Sequence, residues 1–132
     1  MKVAALGGDG VGPEVLAEAL RVLRVAAETS GLPLVVEEFP WGTDWYLEHG
    51  EMMPEEALEV LAGFDAILLG AVGSPLVPDH ITLREMLLRI RFGFDQYVNL
   101  RPVRLLRGTA SPLADPGDLD ILFVRENSEG EY

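Results

Sequence analysis

The chain has 132 residues, the length of one ordinary domain, and 48% of them are hydrophobic, enough to build a core. Its 22 acidic residues against 10 basic ones give a formal charge of −12, which repels phosphate backbones and anionic membranes, so neither nucleic acid nor a membrane is expected as a partner. It has no cysteine, which excludes disulfides, thiolate chemistry and cysteine-type zinc sites.

The N-terminal segment MKVAAL runs straight into glycines and carries no signal-peptide core. No apolar stretch approaches the ~20 residues that span a bilayer. A soluble, cytoplasmic protein is the expectation. Val3–Leu6 is a short apolar run ended by glycine, which suits a buried strand. Gly7-Gly8-Asp9-Gly10-Val11-Gly12 then reads as a turn, with Pro13 in the first turn of a helix. Val15, Ala19, Leu20, Leu23, Ala26 and Ala27 are assigned to the apolar face of that helix. Gly31 and Pro33 end it. A second strand is expected at Leu34–Phe39, and a short helix at Pro54–Leu61 with Glu55 and Glu56 in its first turn. Ala66–Ala71 is apolar enough for a third strand buried on both faces. A helix over Leu83–Phe94, extended chain over Val98–Val103, a loop over Gly108–Gly117 and a strand over Asp120–Arg125 complete the pattern. Strands alternating with helices predict an α/β fold with a doubly wound, mostly parallel sheet.

Three features bear on chemistry. The glycine turn follows a strand and opens a helix, but no reading of it gives G-x-G-x-x-G, so a tight structural turn is the stronger interpretation. Arg91, Arg101 and Arg125 are the second. Each alone reads as a surface partner for the many acidic residues. Together, three planar forks could hold two carboxylates. The third is Trp41, Trp45 and Tyr46, an aromatic patch suited to a core or to a subunit contact. His49 and His80 are single histidines with no neighbouring ligand set, and no metal-ligand cluster is evident.

Four ordered motifs carry a resemblance: Gly8-Asp9-Gly10-Val11-Gly12-Pro13-Glu14-Val15, Leu69-Gly70-Ala71-Val72-Gly73, Asn99-Leu100-Arg101-Pro102 and Val124-Arg125-Glu126-Asn127-Ser128-Glu129-Gly130. In this order they resemble the isocitrate/isopropylmalate dehydrogenase family. Val77-Pro78-Asp79-His80-Ile81-Thr82-Leu83 and the run Phe94–Leu105 look like its tartrate/D-malate dehydrogenase branch. Gly7 replaces a usual proline, and Arg84 stands where that branch tends to have tryptophan. The resemblance covers essentially the whole chain but only the N-terminal part of complete members, which are more than twice as long.

What the resemblance implies can be written residue by residue. The family oxidises a (2R)-hydroxy acid with NAD(P) and Mg²⁺ or Mn²⁺, then usually decarboxylates the keto acid. Arg91, Arg101 and Arg125 match its substrate-carboxylate arginines, and Tyr132 its catalytic proton donor. Leu83 matches a contact to the substrate's variable group, and Thr82 a position near the nicotinamide. In the family the cofactor is not held by the glycine turn in Rossmann fashion. Residues 1–104 are expected to be the N-terminal part of the first α/β domain, and 105–132 the start of the second, dimerisation and substrate domain. The chain is thus expected to be truncated, inactive alone, unable to hold NAD or metal by itself, and paired as a homo-oligomer, most simply a dimer. A separate polypeptide supplying the missing half, or a non-catalytic homologue that binds a dicarboxylate or pairs with another chain, are the alternatives.

Overall fold

The apolar run that opens the chain becomes β1, Lys2–Gly8. Its residues Val3 to Leu6 are fully buried because β1 is the middle strand of a parallel sheet ordered β2-β1-β3. On one side lies β2, Val35–Phe39, in register Ala4 to Glu37; on the other lies β3, Ala66–Ala71, in register Ala4 to Ile67. The computed structural model describes residues 1–129, and the chain divides into two units, Met1–Ile90 and a second beginning at Arg91. The first unit is the parallel α/β arrangement expected from the alternating pattern.

Helix α1, Gly12–Ser30, connects β1 to β2. Pro13 starts it where a missing N–H costs nothing, and Glu14 complements the positive end of the helix dipole. It ends on Gly31 at φ 65°, with the Leu32 N–H on the Ala27 carbonyl (2.9 Å) and the Gly31 N–H on Glu28 (3.2 Å). Those two bonds satisfy carbonyls the helix leaves open. The buried stripe runs through Gly12, Leu16, Leu20 and Ala27, with Leu23 beside it. It keeps Leu20, Leu23 and Ala27 of the expected face but is centred about 30° further round the helix. Val15 is 51% exposed and Ala26 faces solvent, while Leu16, left out of the expected stripe, packs with Ala5 and Leu20. The outer face also carries Val22 and Val25, so apolar spacing alone does not fix the phase. Leu20→Ala is expected to destabilise the unit by about 2–4 kcal/mol through a cavity, and Val15→Ala by less than about 1 kcal/mol. Urea midpoints of the two variants check the assignment; equal costs would contradict it.

The aromatic segment holds a helix that patterning leaves unassigned, α2, Thr43–His49. Trp41 is buried against Phe39, ring centroids 4.5 Å apart, and Phe39 meets Phe64 edge-on at 5.6 Å. Of the two alternatives for the patch, Trp41 takes the core. Trp45 stacks on His49 at 3.8 Å. Helix α3 covers Ala57–Leu61, so Glu55 and Glu56 form the turn before it rather than its first turn. That turn is held by the Arg89 guanidinium, which donates to the carbonyls of Met53 (3.2 Å), Pro54 (3.1 Å) and Glu55. β3 is only half-buried, not enclosed on both faces, because among the described residues it is a sheet edge. The helical run then begins at Asp79, earlier than expected, as α4, Asp79–Thr82, a π-helical segment, Leu83–Leu88, and α5, Arg89–Gly93. Met86 and Ile90 are its buried anchors.

The second unit departs from the parallel pattern. β4, Val98–Arg104, and β5, Asp120–Glu126, pair antiparallel as a two-stranded sheet of their own. A parallel pair needs a crossover, usually a helix. The Pro- and Gly-rich connection from Leu105 to Leu119 forms none, and it closes with a Leu105 N–H to Leu119 carbonyl bond of 2.9 Å. Both faces of the ribbon are exposed, Leu100, Phe123 and Val124 among them.

Candidate functional site

The glycine turn is shaped by backbone packing. Gly8 has φ 68°, and a Cβ there would collide with the Ala71 carbonyl. At Gly12 a Cβ would meet the Gly7 carbonyl and the Ala71 nitrogen; at Gly70 it would meet the carbonyls of Gly7 and Gly12. These glycines let the turn, the start of α1 and the end of β3 approach each other, which agrees with the structural reading of the motif. Asp9 at its centre is buried. Its Oδ1 accepts the Thr43 N–H (2.6 Å) and its Oδ2 the Gly73 N–H (2.8 Å), while its own N–H donates to Ala71 (2.7 Å). One carboxylate therefore clasps the segments that follow all three parallel strands. Its role went unread in the sequence, where the only signal is a lone acid inside a glycine run after an apolar strand.

Of the other expected positions in the first unit, Thr82 ends α4 and is 1% exposed, its hydroxyl donating to the Asp79 carbonyl at 3.2 Å. Leu83 opens the π-helical segment and is 42% exposed. His80 is exposed, and the His49 ring nitrogen Nδ1 bonds the Trp45 carbonyl at 3.0 Å. Tyr132 lies outside the described residues.

The three arginines fall together in the second unit. Arg91 is on α5, Arg101 in mid-β4 and Arg125 near the end of β5. In the β4–β5 register Asn99 faces Arg125 and Arg101 faces Phe123. Paired residues share a face, and so do residues two apart. Arg101 and Arg125 are thus diagonal neighbours on one face, a spacing of about 7–8 Å between backbones. Arg104 lies on the other face, 3.6 Å from Asp120. Arg91 has its pKa lowered by burial first, then by the positive charges of Arg125 and Arg101. Two further cations close enough to bear on Arg91 make its surroundings a place where an anion is favoured. Arg91, alone of the three, lines an open cavity of about 620 Å³ together with Asp95, Gln96, Tyr97, Asn99 and Asn127.

The turn after Arg125 is also organised. Glu126 accepts the Ser128 N–H (2.7 Å), the Ser128 hydroxyl (2.9 Å) and the Glu129 N–H (2.9 Å). These bonds, the Ser128 N–H foremost, hold its pKa below the ordinary glutamate value. A depressed carboxyl gives its tie above the ordinary range and loses it as pH falls below. Asn127, the next residue, is 3% exposed. Among the described residues no group of three or more His, Cys, Asp or Glu is placed to hold a metal ion, so they offer no fit for the divalent ion that the resemblance implies. No described helix is long and apolar enough to cross a membrane.

A D-malate dehydrogenase [decarboxylating] of Escherichia coli is 55% identical over 136 residues, which cover all of this chain and 38% of that protein. A probable tartrate dehydrogenase/decarboxylase of Agrobacterium vitis is 54% identical, covering 99% of this chain and 37% of its own length. The chain therefore spans little more than a third of the curated relatives it matches, in their N-terminal part. Among solved structures, a beta-decarboxylating dehydrogenase from Thermococcus kodakarensis superposes with a TM-score of 0.72 at 34% identity, over 98% of this chain and 34% of that one. An isocitrate dehydrogenase from Methylococcus capsulatus shares the fold at a TM-score of 0.77, over 98% of this chain and 35% of that one. The sequence pattern of one family matches from residue 2 to residue 132, and the chain belongs to that family, isocitrate/isopropylmalate dehydrogenase.

Proposed function

We propose that this chain contributes the substrate-carboxylate side of a metal- and NAD-dependent, decarboxylating (2R)-hydroxy-acid dehydrogenase of the tartrate, D-malate or 3-isopropylmalate type. The observation that carries it is the grouping of Arg91, Arg101 and Arg125: the charges of the last two bear on Arg91, which lines a cavity with Gln96, Asn99 and Asn127. In this reading the arginines hold the two carboxylates of a small dicarboxylate. Leu83 touches its variable group, Thr82 lies near the nicotinamide, and Tyr132 returns a proton to the enol. Residues 1–104 belong to the first domain, and 105–132 begin the second. The reaction uses NAD and Mg²⁺ or Mn²⁺, which this chain does not hold by itself, and the protein acts in the cytoplasm.

Calorimetric titration of the chain with D-malate tests the grip. Arg101→Ala is expected to weaken binding roughly 10- to 150-fold, the worth of one charge-assisted contact. Unchanged affinity in that variant would sink the reading. The exposed apolar ribbon favours a second statement, that the chain pairs with a copy of itself, or with another chain as a non-catalytic homologue. Light scattering of the pure chain is expected to give a dimer mass. A stable monomer that binds no hydrophobic dye would rule the homodimer out.

A further inference from the structure

The arginine group poses a positional problem. Strand pairing fixes Arg101 against Arg125, but Arg91 stands on α5, outside the ribbon. It is joined to β4 by a turn in which Asp95 has φ 49°, the one non-glycine with positive φ among the described residues. Asp is among the few non-glycine residues that take this left-handed turn, which reverses the chain between α5 and β4. The Gln96 N–H, just after it, donates to the Arg91 carbonyl at 2.8 Å, so the position of residue 96 is the position of the helix end.

Asn127 is what reaches residue 96. Its Nδ2 donates to the Gln96 carbonyl at 3.3 Å, and its Oδ1 accepts from Nδ2 of Asn99, also at 3.3 Å. Asn99 is the residue paired with Arg125. One buried amide thus touches the end of β5, the start of β4 and the turn leaving α5, and each of these elements carries one of the arginines. A buried polar side chain is costly unless it bonds on both sides, and here it does.

We infer that Asn127 is the positioning residue of the anion site: through its two-sided bond to Gln96 and Asn99 it sets Arg91 against Arg101 and Arg125. The inference rests on the proposed dicarboxylate reading. It assigns Asn127 no contact with the ligand. Its role is to keep the third cation at a fixed separation from two that the strand register already fixes.

The test uses the full 132-residue chain, ¹⁵N-labelled, titrated with D-malate and read at the arginine Nε–H signals. In the unaltered protein the signals of Arg91, Arg101 and Arg125 are expected to move together along one binding curve. Asn127→Leu keeps the branched skeleton and removes both bonds. It is expected to leave the β4–β5 amide pattern intact and to weaken binding about tenfold or more. The Arg91 signal should uncouple while Arg101 and Arg125 still titrate together. A residue that only supported the fold would instead shift all three alike, in proportion to the unfolded fraction. Should Asn127→Leu lose the ribbon pattern, Asn127→Ser replaces it; its neutral hydroxyl is too short to bridge both partners, and the same uncoupling is expected. Either variant, folded and binding as the unaltered chain does with three coupled signals, overturns the inference. Arg101→Ala run in parallel separates the two levels. If the unaltered chain shows no saturable binding, or Arg101→Ala binds equally well, the carboxylate reading fails and takes the positioning role with it. If only the Asn127 variants are silent, the positioning role alone fails.

Discussion

Pure 132-residue chain, incubated with NAD, Mg²⁺ or Mn²⁺ and D-malate, tartrate or 3-isopropylmalate, is expected to give no steady rise in NADH absorbance. The reason lies in the residues available. Hydroxy-acid oxidation followed by decarboxylation needs an electrophile at the hydroxyl oxygen and a base for its proton. Among the described residues no group of acids or histidines is arranged for a metal. The sequence has one lysine, Lys2, at the start of β1. Its two histidines are no substitute, since His49 is stacked on Trp45 and His80 belongs to no group of three such residues among those described. The arginines can bind an anion, but uniform binding of a substrate does not lower its barrier. The missing groups are asked for at least ~8 kcal/mol of barrier reduction, so the loss is total within detection. Sustained, substrate-dependent NADH formation by mass-verified chain would refute this and would mean that the arginine side alone can be recruited into a catalytic site.

The largest effect on stability is expected at Asp9. Asp9→Ala removes a buried carboxylate from the Thr43 and Gly73 N–H groups and leaves both without their partner. Hydrogen bonds to a charged group are worth about 1.5–3 kcal/mol each, so the variant should lose about 3–6 kcal/mol. For a unit of ordinary stability that is most of what holds it folded. Asp9→Asn keeps the shape but turns an NH₂ group toward one of the two N–H donors, and it should lose nearly as much. Denaturant midpoints, and amide exchange at β1 and β3, measure it. A cost below about 1 kcal/mol for Asp9→Ala would show that the three segments are held by packing instead. The clasp lies at the carboxyl ends of the parallel strands, where open α/β sheets carry their ligands. Its stiffness is therefore also the stiffness of whatever those loops help to form.

Much of this fold is local, and local order is written in residue types. Gly8, Gly12 and Gly31 mark turns that other residues cannot make, Pro13 marks a helix start, and Val3–Leu6 is apolar enough to be central in a sheet. The three arginines are legible as candidates because guanidinium chemistry suits carboxylates and because the motifs around Arg101 and Arg125 resemble the family's. Tertiary structure decided what periodicity leaves free. It chose Leu16 over Val15 for the core, since a helix with valines on its outer side has no phase of its own. It left β3 half-open at a sheet edge, made β4 and β5 an antiparallel ribbon, and set a helix at Thr43–His49 inside an aromatic run. It also found the two polar residues that sequence passes over. Asp9 and Asn127 matter through bonds to backbone groups 34, 64 and 31 positions away, and no window of sequence contains both ends of such a bond.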